Sequence, residues 1–342
     1  MTDMYLILQT AVNAVLPIVL LILLGYFLKK SGFLSDDFVK VGNKLVFKIL
    51  LPCMLFVNVY SVESLADIRW DVVLFCGIML VVLFLLGMVT TPMISRDPRQ
   101  KGVLLQNVFR SNFAIIGMSL AEILGGSGAM AVCAVIAACI VPVNNALAVT
   151  SLTIYMGEKG EKPSVKRILW NVVKNPLIIG IALAVVCLLL RDAQARLFGE
   201  VKFSLSRDLK FVYTAVNNLK SVASPLSLVV LGGQFEFSAS KSMLREITAG
   251  VFWRVVLAPA IALISAFLLS TYTDLLHCGV NEYPALIALF GSPTAVSSAI
   301  MAGQMGNDEQ LATQLVVWTS ICSIATMFLT VCILMSAGLL AV

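Results

Sequence analysis

The chain has 342 residues, 59% of them apolar and 13% charged, against roughly 45–50% and about 25% in soluble domains. A soluble core of this length has no use for so much apolar surface, whereas a bilayer takes over from water as the outer solvent, so the composition describes a polytopic membrane protein and excludes a water-soluble enzyme. The net charge of +5 is spread over several short loops, as membrane topology requires, and does not point to nucleic acid.

A crossing helix needs about 20 mostly apolar residues. Ten segments qualify: 6–28, 38–60, 71–94, 101–123, 128–155, 168–190, 211–235, 243–270, 283–304 and 309–340. The first apolar run, Leu6 to Phe27, has no basic residue before it and is followed by Lys29 and Lys30. It is expected to stay as a spanning helix and not to be a cleaved leader. With the N-terminus outside, seventeen of the 24 Lys and Arg residues fall on the inner side, in the stretches 29–48, 96–110, 159–174 and 241–254. The seven others lie outside, mostly around 191–210, so the positive-inside rule gives N-out and C-out. The eight cysteines form no CxxC pair, and seven lie in apolar runs, where Cys behaves as a small hydrophobe. The single histidine, His277, precedes Cys278; such a dipeptide alone is no metal site, and no metal is expected.

The two halves, 1–165 and 166–342, share a pattern. Pro17 in the first span matches Pro176 in the sixth, and Pro52 in the second matches Pro225 in the seventh. RSNFAIIG (110–117) in the fourth matches GSPTAVSS (291–298) in the ninth. Five spans per half is odd, so the second half crosses in the opposite sense. Inverted repeats with interrupted helices in matching positions are a signature of secondary transporters.

The stretch ALFGSPTAVSSAIMAGQMGND (288–308) places a helix breaker in the middle of an apolar span. Such a break is tolerated only inside protein or beside a water-filled cavity. Ser292 before Pro293 reads as the start of a second half-helix, since Ser is a favoured N-cap and proline suits the first helical position. In span four, Ser111 or Asn112 caps the equivalent half-helix. Two helix N-termini, each partly positive, then face one another and attract an anion. Arg110 follows Lys101 by nine residues, roughly 13 Å of helical rise into the bilayer, and Arg254 follows Lys241 by thirteen. Intramembrane charges are functional candidates: Arg110 can pair with a carboxylate through its planar fork, while either arginine can instead neutralise the C-terminal end of a half-helix. Asn13, Asn58, Asn107, Asn144, Asn145, Asn175 and Gln304 are further polar groups in or near spans, which bind substrate or join helices. No GxxxxGK[ST], HExxH or pair of mid-span acids is present, so neither ATP hydrolysis nor a zinc protease nor a two-aspartate proton antiporter is expected.

The chain resembles the auxin efflux carrier family, in its bacterial branch of malate- and malonate-permease-like proteins (PIN-like transporters). The resemblance rests on LVFKILLPCMLF, RSNFAIIGMSL, KNPLIIG, ASPLSLVVLGGQF, VVLAPAIAL and SPTAVSSAIMAGQMGND, in this order along nearly the whole chain. It implies an all-α fold like that of bile-acid sodium symporters and sodium/proton antiporters. Ten helices form a 5+5 inverted repeat in which broken spans four and nine cross. Spans 1, 2, 6 and 7 are then a scaffold, and spans 3–5 and 8–10 a moving transport domain. Asn112 and Pro293 fall at the crossing. The family's span four often carries a glycine and a proline where this chain has Ala114 and Ser119, so its pocket is expected to differ from that of relatives.

The expected function is non-enzymatic: secondary active or facilitative transport of small organic anions, such as malate, malonate or auxin-like acids, across the cytoplasmic (inner) membrane by alternating access. Arg110, Ser111, Asn112, Ser292, Pro293, Thr294 and Gln304 are the expected substrate ligands, with Arg254 and Asn145 in support. No cofactor is expected beyond a coupling ion, Na+ or H+, with Ser297, Ser298 and Gln304 as candidate sodium ligands. The partners expected are the organic anion, the lipid bilayer and a second copy docked through the scaffold helices. The rival readings are a sodium-coupled symporter of another anion, such as a steroid-like acid, and a receptor that binds without translocating.

Overall fold

The computed structural model describes residues 2–61, 69–156, 170, 173–236 and 241–340. Among them the chain is helical throughout, with one isolated pairing of extended residues, Ser111 with Thr294. The basic residues Lys159, Lys162, Lys166 and Arg167 of the topology count lie outside the described residues, as do the side chains of Asn13, Ala114 and Ser119. Among the described residues six helical stretches are long and apolar enough to cross a membrane: Asp36–Tyr60, Trp70–Ile94, Leu120–Ala137, Pro176–Phe198, Leu244–Tyr272 and Glu309–Ser336.

Helix α1 (Thr2–Lys30) ends on its two lysines, which suit the negative end of its dipole. Helix α2 (Asp36–Leu45) starts where the Ser35 hydroxyl accepts the Phe38 N–H at 3.1 Å, with Asp36 and Asp37 in the first turn. It runs through a widened π turn, Val46–Leu50, into α3 (Leu51–Tyr60). The cause is Pro52. It has no N–H for the carbonyl four residues back, and the Leu51 N–H reaches five residues back to Val46. The same device recurs before Pro259, where α10 (Leu244–Phe252) passes through a π turn, Trp253–Leu257, into α11 (Ala258–Tyr272).

Helix α4 (Trp70–Ile94) precedes α5 (Pro98–Phe109), which Asp97 caps through the Arg99 N–H at 2.8 Å. After a break, a π turn (Phe113–Gly117) leads into α6 (Met118–Ile154). At 37 residues α6 is too long for a single crossing of about 30 Å, and it is two helices joined at Gly126, whose φ of 57° and ψ of −146° are open to glycine alone. The fourth and fifth expected segments therefore meet at this residue. Helix α7 (Pro176–Phe198) runs past the expected end of the sixth segment at 190; Asn175 caps it through the Leu177 N–H at 2.9 Å, and Pro176 is its first residue. Pro17 lies inside α1. A single turn, α8 (Leu205–Asp208), leads into α9 (Lys210–Gln234), with Pro225 inside it. The chain ends with α12 (Glu282–Leu286), a π turn (Ile287–Gly291), α13 (Ser297–Gln304) and α14 (Glu309–Ser336), the last capped by Asp308.

The helices pack in two sets. In one, α1 lies along α9 and α3 along α7, and α9 also packs on α2 and α3. In the other, α4, α5 and α6 pack together, α12 against α6, α13 against α14, and α10 against α14. The sets meet mainly where α1 runs along α14. Arg69 at the start of α4 bonds Glu282 and the His277 carbonyl, and Arg99 at the start of α5 bonds the Gly306 and Asn307 carbonyls. These two clusters mark opposite ends of the second set.

Replacing Gly126 by alanine puts a Cβ on a conformation that costs about 1–3 kcal/mol for any residue but glycine. The expected outcome is a lower unfolding temperature of the purified protein in detergent, with helix content by circular dichroism unchanged at low temperature. An unshifted transition would contradict the Gly126 geometry.

Candidate functional site

The break in span four starts at the last turn of α5, where the Arg110 N–H still donates to the Gln106 carbonyl at 3.0 Å. Arg110 and Ser111 then run extended, and Asn112 turns the chain into the next half-helix, its carbonyl accepting the Ile116 and Gly117 N–H groups at 3.1 and 3.2 Å. In span nine, Ser292 leaves the helix with ψ of 150°. The chain stays non-helical through Pro293 and Thr294 and restarts at Ser297.

Ser292 is therefore not the N-cap of the second half-helix. Its hydroxyl turns back to donate to the Ala288 carbonyl at 2.6 Å. The peptide groups expected to begin a helix are spent elsewhere. The Thr294 N–H donates to the Thr319 hydroxyl at 3.1 Å, and the stretch pairs with span four. The Asn112 N–H donates to the Pro293 carbonyl at 2.7 Å and the Ala295 N–H to the Arg110 carbonyl at 3.3 Å. This makes Ser111 and Thr294 a non-hydrogen-bonded antiparallel pair. The spans touch because Gly117 has no side chain: a Cβ there would meet the Ala288 carbonyl and, at 2.8 Å, the Ser292 hydroxyl. Asn107 completes the crossing by accepting the Thr294 hydroxyl at 2.6 Å and donating to the Gly250 carbonyl at 2.8 Å.

The two intramembrane arginines end in different surroundings. Arg254 is fully buried, 0% exposed. Its guanidinium donates to the carbonyls of Ser292 (3.0 Å), Val108 (3.1 Å), Phe290 (2.5 Å) and Leu289 (3.5 Å). Those are the last carbonyls of the first half-helices in both broken spans, so one cation caps two negative helix ends. Arg110 points the other way. It donates to the Asn145 Oδ1 at 3.0 Å, the Ser297 hydroxyl at 3.0 Å and the Met301 sulfur. All three partners are neutral, and no carboxylate pairs with Arg110 among the described residues.

Arg110 lines a cavity of about 80 Å³, room for several waters or a compact anion. Its polar wall is Arg110, Ser111, Asn112, Asn144, Asn145 and Ser297, and Ser224 and Ser227 of α9 face them. Leu51, Met54 and Leu177, from α3 and α7, supply apolar surface, so the cavity lies between the two helix sets. Phe113 and Ser297, the first residues of the second half-helices, both line it, which turns two positive helix ends toward one space. Three buried polar atoms on its wall have no hydrogen-bond partner among the described residues: Asn112 Nδ2, Ser111 Oγ and Asn144 Oδ1.

Of the residues expected at the site, Arg110, Ser111, Asn112, Asn145 and Ser297 come together around this cavity. Ser292, Pro293 and Thr294 form the crossing behind it, their polar groups consumed by the contacts above. Gln304, the last residue of α13, and Ser298 do not line the cavity; Ser298 is buried, its hydroxyl without a partner among the described residues. Asn175 is a helix cap, and Asn107 holds helices together. Asn144, expected only as one of several polar groups that bind substrate or join helices, lines the cavity, whereas Ser224 and Ser227 were not singled out in the sequence.

The sequence matches the family described as Membrane transport protein over residues 10–331. It is also similar to an uncharacterized transporter of Methanocaldococcus jannaschii, 25% identical over 295 residues, covering 84% of this chain and 87% of the relative.

Opposite stability effects are expected at the two arginines. Arg254→Gln strands several buried carbonyls at about 1–3 kcal/mol each and lowers the unfolding temperature and folded yield. Arg110→Gln removes a buried charge that lacks a counter-charge and leaves stability unchanged or raised. Thermal unfolding of both variants checks this; equal losses would contradict the assignment.

Proposed function

We infer the function from one premise: the chain belongs to the membrane transport family of auxin efflux carrier type. On that premise it is a multi-pass membrane carrier of small organic anions, with mono- or dicarboxylates such as malate and malonate as the substrate class. The observation that carries this reading is Arg110, 4% exposed, facing a cavity with only neutral partners beside the unpartnered amide of Asn112. A buried guanidinium is expensive unless its charge is met. A carboxylate in the cavity meets it through a two-pronged contact, and the amide of Asn112 and the half-helix ends at Phe113 and Ser297 add donors and partial positive charge. The guanidinium lies 3.0 Å from the Ser297 hydroxyl, which disfavours a sodium ion there and favours an anion.

The reading extends to architecture. Ten crossings arranged as two inverted five-helix halves, with both termini outside the cytoplasmic membrane, account for the antiparallel sense in which the two broken spans meet. Helices α1–α3, α7 and α9 act as the scaffold, and the helices around the crossing as the moving part. Because the cavity is walled by both sets, displacing one against the other opens it first to one side and then to the other. A bound anion shifts that equilibrium only by its different affinity for the two states.

The test is uptake of labelled malate and malonate into liposomes containing the purified protein. Wild type is expected to take up at least one carboxylate. Arg110→Gln removes charge-assisted bonds of about 1.5–3 kcal/mol and is expected to weaken its affinity roughly 10- to 100-fold. Asn112→Ala is expected to lose less. Uptake indifferent to Arg110 would overturn the site, and binding without uptake would favour a receptor.

A further inference from the structure

Helix α2 and the π turn after it are buried on one side only. Val39, Gly42, Asn43, Val46, Phe47 and Leu50 face inward, and both elements pack on α9. The other side is exposed. Phe38, Val41, Leu45 and Ile49 form an apolar row on it, Val41 being 64% exposed. Lys40, Lys44 and Lys48, each four residues after the last, form an exposed basic row beside it. Among the described residues no carboxylate lies within ion-pair distance of these three. Lys29 already holds Asp36 at 2.7 Å, and Asp37 sits in the first turn of α2.

The row belongs to a stretch long and apolar enough to cross a membrane, Asp36–Tyr60. Lys48 follows Asp36 by twelve residues, about 18 Å of helical rise. Charges in spans are as a rule turned toward a bundle interior or a cavity, yet these point outward. A lysine stem lets its ammonium reach back toward the surface. Three of them spread over about 12 Å of rise do not all reach the same layer of water. Charge decides what covers them. A second copy docked on this face through α1–α3, α7 and α9 brings only Asp3, Asp36, Asp37 and Asp192, all near helix ends, since α3 and α9 contain no acid. A self-complementary interface also sets this face against itself, lysines included. An anionic phospholipid supplies what both rows lack: phosphate for the ammonium groups, which bind it as point charges, and hydrocarbon for the apolar side chains.

We propose that the exposed face of α2 is a binding site for an anionic phospholipid. Lys40, Lys44 and Lys48 hold its phosphate, and an acyl chain lies along Phe38, Val41, Leu45 and Ile49. Basic residues beside a span attract anionic lipid from the bilayer surface, and here the lysine ladder draws the headgroup down the helix. The site needs the chain to lie in a bilayer; it does not depend on what the chain carries.

The experiment is native mass spectrometry and thermal unfolding of the full-length protein in detergent. Phosphatidylglycerol is added in parallel with phosphatidylcholine of the same acyl chains and with glycerol 3-phosphate. Wild type is expected to bind phosphatidylglycerol saturably, roughly 10- to 100-fold more tightly than phosphatidylcholine, and to unfold at a higher temperature with it. Replacing Lys40, Lys44 and Lys48 together by Gln is expected to abolish the preference. Replacing the exposed Arg196, Lys202 and Lys210 together by Gln is expected to keep it, which separates this site from general positive charge. Val41→Asn with Leu45→Asn is expected to weaken phosphatidylglycerol binding with the lysines intact, an effect that a bare phosphate site would not show. If the triple lysine variant fails to fold, the single variants carry the decision, each losing part of the preference. Equal binding of the two lipids by wild type, a preference that survives the lysine variants, or glycerol 3-phosphate stabilising as much as the lipid would each overturn the proposal. So would a dimer that the lysine variants break with lipid preference unchanged. No uptake is measured, so failure of the carrier reading and failure of this site are distinguishable.

Discussion

Two backbone hydrogen bonds hold the centre of this molecule: Asn112 N–H to the Pro293 carbonyl and Ala295 N–H to the Arg110 carbonyl. A spanning helix satisfies its own peptide groups, and an interrupted one does not. Each break here supplies partners for the other, so neither interruption is sustainable alone. The pairing also fixes everything nearby. Gly117 must lack a side chain because the spans touch, Asn107 and Thr319 take up what the bridge leaves over, and the second half-helices start on either side of one space.

The same pairing separates the duties of the two arginines. At the break each chain exposes a negative helix end and, a few residues on, a positive one. Arg254 sits at the negative ends and is saturated by carbonyls from both spans. Arg110 sits at the positive ends, where a cation is electrostatically misplaced. Its neutral partners do not offset that, so the site stores an unmet preference for negative charge. This is the pre-organisation an anion site needs, and its cost falls on stability.

Much of this was legible in the sequence, because it follows from local rules. Except in the sixth, where α7 runs on to Phe198, the apolar runs placed the helices within a few residues, and Gly291-Ser292-Pro293 announced the interruption in span nine. Arg110 and Asn112 stood out as polar groups at apolar depth. What failed was reading long-range partners from local chemistry. Asp97-Pro98 and Asn175-Pro176 do begin helices, and Ser292-Pro293 looks the same. It does not begin one, because residues 293–295 are claimed by 110–112, almost two hundred positions away. The role of Arg254 was open for the same reason, since its four acceptors lie on two other segments. Asn144 gave a faint signal.

The most direct measurement concerns the bridge itself. Ser111 and Thr294 are directly opposed in a non-hydrogen-bonded pair, with Cβ atoms expected about 4.5–5.5 Å apart, near the reach of a disulfide. With the eight native cysteines replaced, cysteines introduced at 111 and 294 should join under mild oxidation, and mass spectrometry of the digested protein should find the two peptides linked in nearly every molecule. If each cysteine reacts singly with a small thiol reagent while the pair never links, the two breaks do not meet and the account built on their meeting is wrong.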